Sequence, residues 1–567
     1  MDRVRPVFFG LSALFILVIL GLFNLEIIQG RNLRSLGDKN CIRLVSQRGS
    51  RGRILDRNGV VLAGSKVSYD LLFMPQEGIR EGALIERVSK ILGKEYALEL
   101  KKLRFDSSMP VVIANNLKLK EAVSLGQIKI DFPSLNIRST PLRFYPNSKT
   151  ACHILGYLGQ IDRWRLTKLE DYGYKTRDIV GFGGIEEKYD YYLRDEEGGA
   201  SFQVDHRGRV VRTLGFKPPV NGKDVELTID IRIQRIAEDA LGGKKGAVVI
   251  MNPQSGEVLA LVSSPGFNPN ALLTKDSDSS VLFNDPSAPL INRAISAGYP
   301  AGSIFKLVVA AAALENNKIN LNTSFLCQGQ TKVGRQNFKC WSTHGNQDII
   351  RALAHSCNVF FYRVGLLVGA QLIHDYAIKL GLSYTTGFDL PYEKKGFIPS
   401  PLLRKLSALK NWFDGDTANL SIGQGEVLVT PIQIARMMAV FANGGYLVTP
   451  YITKSIDGRG ILGHRKRPER VGFKPTTIKW INEGLKGVIS YPEGTGNILS
   501  TVGVSIAGKT GTAQAPPKLS HAWFSGFFPV SNPRFVICVF LEHGGPGYYS
   551  CLVAKKIIEN MLAQGLI

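Results

Sequence analysis

The hydrophobic pattern of the chain changes twice along its length. Val7 to Phe23, "VFFGLSALFILVILGLF", is a 17-residue apolar run whose only polar side chain is Ser12, preceded by Arg3 and Arg5. That length is just sufficient to span a bilayer as a helix. A cleaved leader usually has a shorter apolar region followed by a small-residue cleavage site, and "NLEIIQGRNL" contains none. The reading is an uncleaved anchor over 7–25 with residues 1–6 as a cytoplasmic tip, although Arg31, Arg34 and Lys39 weaken the charge asymmetry. No second apolar run of that length follows, which places the rest of the chain on one side of the membrane.

Residues 41–222 then mix short β-type runs, such as "YDLLF" and "VVIAN", with charged helical stretches and frequent glycines. From "KDVELTIDIRIQRIAEDAL" onward, strands and helices lengthen and become more regular. The prolines and Asn-Gly of "KPPVNGKD" mark the boundary, predicting a mixed α/β domain over 41–222 and a second over 223–567. Within the second, "VLVTPIQIARMMAVFANGG" predicts a helix with Thr430 as N-cap, Pro431 at the first position, Gln433 completing a capping box and Asn443-Gly444-Gly445 as the stop. "SIAGKTGTAQ", "HAWFSGFFPV" and "RFVICVFLEH" predict three successive strands of an antiparallel meander.

Composition adds little to this: 44% hydrophobic and 9% aromatic residues are ordinary for packed globular structure. The net charge of +23 raises the question of nucleic acid. No recognition module accompanies it, and the basic residues are dispersed apart from "RGSRGR" and "HRKRPER", a distribution that suits a solvated surface beside anionic lipid.

The candidate chemistry lies in three motifs. In "NRAISAGYPAGSIFKLVVAAAALE" a Pro/Gly turn runs into an apolar helix, with Ser303 and Lys306 on one face of its first turn. A serine hydroxyl is a poor nucleophile until a base takes its proton, and a buried lysine of lowered pKa can be that base. Ser-x-x-Lys alone is common on helices. Here Ser356-Cys357-Asn358 follows, and Lys509-Thr510-Gly511-Thr512 lies in a β-type run near the carboxyl terminus. The three in this order are the signature of penicillin-binding proteins and serine β-lactamases.

The chain resembles the class B penicillin-binding proteins, and most closely their elongation-type penicillin-binding protein 2 group. "RGSRGRILDRNG", "LRFYPNSKTACHILGYLG" and "GFGGIEEKYDYYL" resemble the non-catalytic pedestal; "GAVVIMNPQSGEVLALVSSPGFNPN", "SIGQGEVLVTPIQIARMMAVFANGG" and "HAWFSGFFP" resemble the transpeptidase domain. The resemblance implies an α/β (α+β) multidomain protein. A single transmembrane helix leads to an elongated pedestal of the dimerisation type and a carboxyl-terminal transpeptidase domain, whose antiparallel sheet is flanked by helices, with the Lys-Thr-Gly strand at the cleft edge. It also implies location in the cytoplasmic (inner) membrane with the catalytic domain outside the cytoplasm.

The implied reaction is peptidoglycan D,D-transpeptidation during cell-wall elongation, inhibited covalently by β-lactams. Ser303 would attack the carbonyl between the last two D-alanines of a stem peptide, with Lys306 as general base. Ser356 would relay the proton to the leaving amine, and Asn358 would hold a donor amide. Lys509 would supply positive potential that keeps Lys306 neutral, and Thr510 and Thr512 would bind the terminal carboxylate. The N–H groups of Ser303 and Thr512 would form the oxyanion hole, with Gly511 allowing close approach. Implied partners are a SEDS-type, RodA-like glycosyltransferase and an MreC-like scaffold. Two positions depart from the family's wording: Ala301 stands where proline is common, and Ile304 where threonine often follows the nucleophile, changes expected to alter packing or antibiotic affinity.

Other readings remain at this point. A β-lactamase needs a deacylating base such as Glu-x-x-Leu-Asn, which is absent between Ser356 and Lys509, and Glu426 is the nearest acidic candidate. A bifunctional synthase would need a glycosyltransferase motif, a β-lactam sensor further membrane helices. A division- or sporulation-type enzyme more often shows Ser-Ser-Asn.

The cysteines raise a separate question. Seven is an odd number, so complete pairing within one chain is impossible. Cys327, Cys340 and Cys357, with His344 four residues after Cys340, form a Cys3His set, the coordination of structural zinc. Some elongation-type relatives resemble this arrangement. A Cys327–Cys340 disulfide and an inert buried Cys357 are the alternatives.

Overall fold

The computed structural model describes residues 4–73, 81–93, 111–132, 135–176, 178–205, 210–273, 279–408, 411–461 and 467–567. Part of the expected tip, residues 1–3, and part of the basic "HRKRPER" cluster lie outside the described residues. The apolar amino-terminal run is helical over Val4–Phe23 and continues through a π-turn, Asn24–Ile28. Pro6–Ile28 is long and apolar enough to cross a membrane, with a mean hydropathy of 2.6.

The chain divides into two compact units, one of residues 1–52, 65–144 and 194–222, the other of 53–64, 145–193 and 223–567. Two segments of the expected 41–222 domain, 53–64 and 145–193, thus pack with residues 223–567. Strand pairing and hydrogen bonds tie these segments to the second unit. Ile54 and Leu55 run parallel to Val225 and Glu226. Tyr145 N–H reaches Asn270 Oδ1 at 3.0 Å, Ala151 N–H reaches Glu238 Oε1 at 2.8 Å, and His153 Nε2 lies 2.7 Å from Pro289 O. Composition carries none of this information.

In the first unit, Ile42–Gln47, Gly198–Val204 and Val210–Lys217 form an antiparallel sheet in the order given. Residues 65–73 pair with Val111–Leu117, and the helices Glu81–Leu92 and Leu119–Ile128 close a small core around Leu71, Phe73, Leu84, Leu125 and Leu135.

The second unit is built on five antiparallel strands in the order Val258–Ser264, Gly246–Met251, Phe535–Leu541, Lys518–Phe528, Ala507–Ala515. The predicted meander is present, with the Lys-Thr-Gly strand at the sheet edge. The side-chain period of two sends Ala247, Val249 and Met251 to one core and Val248 and Ile250 to the other. Helices Ile231–Leu241 and Tyr548–Ala563 pack in the second core, Lys306–Glu315 and Pro431–Ala442 in the first. Pro431–Ala442 starts and stops as predicted: Thr430 N–H bonds Gln433 Oε1 at 2.9 Å, Asn443 is the C-cap, and Gly444 follows at φ +81°.

Candidate active site

Ser303 lies in a one-turn 3₁₀ helix, Gly302–Phe305, that feeds directly into the α-helix Lys306–Glu315. The Lys306 N–H closes that turn on the Ser303 carbonyl. Residues three apart eclipse in 3₁₀ geometry, which aligns Ser303 with Lys306. Glycine is required at 302: its φ is +55°, and a Cβ there would stand 2.8 Å from the Thr512 carbonyl oxygen. Its N–H also bonds Gly423 O at 2.9 Å. Lys306 to Leu314 are all buried, so the helix runs through the core with no polar face, as its sequence predicts.

Burying Lys306 in that helix leaves its ammonium dependent on a few partners. It donates to Ser356 O at 2.7 Å and to Asn358 Oδ1 at 2.7 Å, with Ser356 Oγ at 3.2 Å. Burial pulls its pKa down to about 8, against the opposing influence of Cys340 and Cys357. Ser356 adopts φ +53°, a conformation that costs a non-glycine residue about 1–3 kcal/mol. The hydrogen bonds from Lys306 and from Cys357 N–H to Ala352 O, at 3.0 Å, hold it there.

The edge strand supplies the opposite wall. A Cβ on Gly511 would sit 3.1 Å from Ile304 Cγ1 and from Trp523 Cβ, so glycine lets the Ser303 turn press against the strand. Ala301 and Ile304, the two departures from family wording, are both fully buried at this contact. Thr512 Oγ1 accepts from Gly547 N–H at 3.0 Å, and its carbonyl accepts from Gln424 Nε2 at 3.3 Å. Thr510 Oγ1 lies 2.6 Å from Thr495 Oγ1. Lys509 is fully buried, donating to Thr510 O at 3.1 Å, and burial followed by repulsion from Lys306 lowers its pKa well below the usual range. Glu426 is exposed and paired with Arg404 at 3.4 Å.

Thr495, Gln424, Gly423 and Gly547 were not identified by sequence reasoning. Only the glycines flanking Thr495 in "EGTGN" could have marked that loop as closely packed.

The candidate metal ligands also converge. Cys327 ends the strand Phe325–Cys327, which pairs with Gly345–Gln347, and Cys340 follows the hairpin strand Gln336–Lys339. Cys357 is the N-cap of the helix Asn358–Val368, its sulfur accepting from Phe360 N–H at 3.5 Å. The ligand atoms of Cys327, Cys340, His344 and Cys357 all lie within 4.8 Å of one another. His344 Nδ1 is 3.5 Å from both Cys327 Sγ and Cys340 Sγ. Zn–S and Zn–N bonds of about 2.3 and 2.05 Å at a tetrahedral angle put sulfur and nitrogen about 3.5 Å apart, so the set fits zinc. All seven cysteines are free thiols, and Cys327 and Cys340 are not bridged. Asn358 N–H donates to the Cys340 sulfur at 3.2 Å. His344 Nε2 is buried without a hydrogen bond, and its ring packs on Trp341 and His355.

Known proteins share this arrangement of domains. The family model described as "Penicillin binding protein transpeptidase domain" matches residues 246–563, and "Penicillin-binding Protein dimerisation domain" matches 46–227. The peptidoglycan D,D-transpeptidase MrdA of Acinetobacter baumannii is 30% identical, covering 95% of this chain and 84% of its own. Penicillin-binding protein PBP2 in its complex with MreC from Helicobacter pylori superposes with a TM-score of 0.81 at 26% identity, over 93% of this chain and 99% of that one. A chain from a structure on coordination of polymerization and crosslinking by a peptidoglycan synthase complex is 30% identical with a TM-score of 0.75, over 98% of each chain. With a catalytic-domain model matching more than half its length, the chain belongs to the penicillin-binding protein transpeptidase family.

Proposed function

We propose that the protein is an elongation-type peptidoglycan D,D-transpeptidase that works through a serine acyl-enzyme and is captured covalently by β-lactams. The observation that carries this reading is the buried Lys306 amine, held at 2.7 Å by Ser356 O and Asn358 Oδ1 one turn after Ser303. A lysine whose pKa falls to about 8 is partly neutral at physiological pH and can accept the Ser303 proton.

Ser303 Oγ attacks the carbonyl between the two terminal D-alanines while its proton passes to Lys306. Collapse of the tetrahedral species expels D-alanine, its amine protonated through Lys306 and Ser356. The N–H groups of Ser303 and Thr512 receive the oxyanion, commonly the largest electrostatic contribution in such chemistry. Asn358 bonds an amide of the donor stem, and Thr510 and Thr512 bond its carboxylate, whose charge favours a protonated Lys509. An acceptor amine then attacks the acyl-enzyme, forming the cross-link and regenerating Ser303.

Cys327, Cys340, His344 and Cys357 would hold zinc, which supplies a structural cross-link when bound. Cys357, so held, would fix Ser356 and Asn358 on either side of it at the short tolerance a proton relay demands. The amino-terminal apolar helix is a single-pass anchor in the cytoplasmic membrane, with the catalytic unit outside the cytoplasm. The likeness to a chain complexed with MreC, and to one from a synthase that couples polymerization with crosslinking, supports an MreC-like scaffold and a RodA-like glycosyltransferase as partners.

The reading is tested by supplying detergent-solubilised full-length protein with a stem pentapeptide ending in D-Ala-D-Ala and an acceptor amine. Release of D-alanine with formation of the cross-linked peptide, both blocked by penicillin, is expected. Absence of both products together with absence of penicillin labelling would overturn it.

A further inference from the structure

The two threonines assigned to the substrate carboxylate are supported differently. A threonine hydroxyl has one proton, and it reaches an anion only if the hydroxyl's neighbour acts as donor rather than acceptor. Thr512 has such a neighbour by necessity: the Gly547 N–H, at 3.0 Å, can only donate. The neighbour of Thr510 is another hydroxyl, Thr495 Oγ1, at 2.6 Å, and either oxygen can be the donor.

Thr495 is also fixed from the other side of the cleft. Its N–H bonds Ala354 O at 3.3 Å, two residues before Ser356. The glycines flanking it press on the helix Pro475–Ser490: a Cβ on Gly494 would lie 2.4 Å from Val488 O, and one on Gly496 would lie 2.9 Å from Ile489 Cδ1. Gly496 N–H also bonds Val488 O at 3.0 Å. One residue thereby ties the Ser356 segment to the Lys-Thr-Gly strand, with its hydroxyl aimed at Thr510.

We propose that Thr495 is a positioning residue for carboxylate recognition: it donates its proton to Thr510 Oγ1, committing the Thr510 proton to the terminal carboxylate of the peptide or β-lactam. The inference rests on the transpeptidase reading given above. With a carboxylate bound, the chain runs Thr495 O–H to Thr510 O–H to carboxylate, and each hydrogen bond polarises the next. Without the Thr495 hydroxyl, Thr510 is a weaker donor and its rotamer is free to turn.

The experiment measures acylation of the full-length protein by benzylpenicillin and by its uncharged methyl ester, separating the dissociation constant of the initial complex from the limiting acylation rate. Thr495→Val keeps the side-chain shape and is expected to weaken initial binding of benzylpenicillin about fivefold to twentyfold, leaving the limiting rate and the methyl-ester reaction within about twofold. Thr495→Ser, which restores the hydroxyl, returns binding to within about twofold of wild type. In a Thr510→Val background, Thr495→Val adds no further loss, because the chain is already broken. Should the valine variant fail to fold, Thr495→Cys, close in size and a weaker donor, is expected to show a smaller loss confined to benzylpenicillin. Unchanged or tighter benzylpenicillin binding in the valine or cysteine variant, or equal loss with the methyl ester, overturns the proposal. Wild-type protein that takes no label from either compound overturns the transpeptidase reading instead.

Discussion

Gly246–Met251, Val258–Ser264 and Phe535–Leu541 in the catalytic unit are buried at every position, whereas Val111–Leu117 and Leu135–Phe144 in the other unit are largely half-buried or exposed. A sheet packed on both faces cannot shift one strand without disturbing two cores. It therefore suits a site in which Lys306, Ser356 and Asn358 must meet within hydrogen-bond distance. A sheet with open positions supplies surface rather than precision, which fits a unit that, among the described residues, carries no nucleophile and base pair. Position in the fold, and not composition, separates the two roles.

Removing the proposed base should affect the catalytic unit most. Lys306→Ala is expected to slow acylation by penicillin about 10³-fold or more while the protein stays folded, and substitutions at exposed positions of the first unit should leave the rate unchanged. Acylation kinetics with circular dichroism on the same samples checks it; a Lys306→Ala enzyme within tenfold of wild type would remove the lysine from the mechanism.

Packing comes next. Ile537→Ala, at a fully buried position of a central strand, is expected to cost about 3 kcal/mol or more, and Val112→Ala, at a position 42% exposed, under about 0.5 kcal/mol by denaturant titration. Equal losses would erase the distinction between the two sheets.

The metal set sharpens the comparison within the catalytic unit. Cys357→Ser or His344→Ala is expected to abolish zinc in elemental analysis of protein purified without added metal, and to slow acylation about tenfold. Wild-type protein without zinc, or variants with unchanged acylation, would return Cys357 to an ordinary buried helix cap.

The pH profile should show an effect of similar size. With Lys306 as the proposed base its neutral form is the reactive one, so the acylation rate is expected to rise about tenfold between pH 7 and 9 and level off above, with a midpoint near its pKa of about 8. A flat profile, or one that falls through this range, contradicts a lysine base.

Much of the catalytic unit was legible because its cues are local. The Thr430–Gln433 capping box, the alanine-rich run after Lys306 and the period-two strands each depend on neighbours within a few residues. Ser303, Ser356 and Lys509 could be grouped only through motif order, since nothing local joins residues 50 or more positions apart. Three features were not legible. The 3₁₀ turn at Ser303 is imposed by close packing against Thr512 and Gly423. Cys357 occupies a helix cap usually given to serine, threonine, asparagine or aspartate. The interleaved units follow from pairing between Ile54 and Val225, which no composition change announces.

The proposed nucleophile, Ser303, can be identified by intact-protein and peptide mass spectrometry after exposure to benzylpenicillin. One penicilloyl adduct per chain, mapped to Ser303 and absent from Ser303→Ala, is the predicted result. An adduct on any other residue, or one that persists in Ser303→Ala, would contradict it.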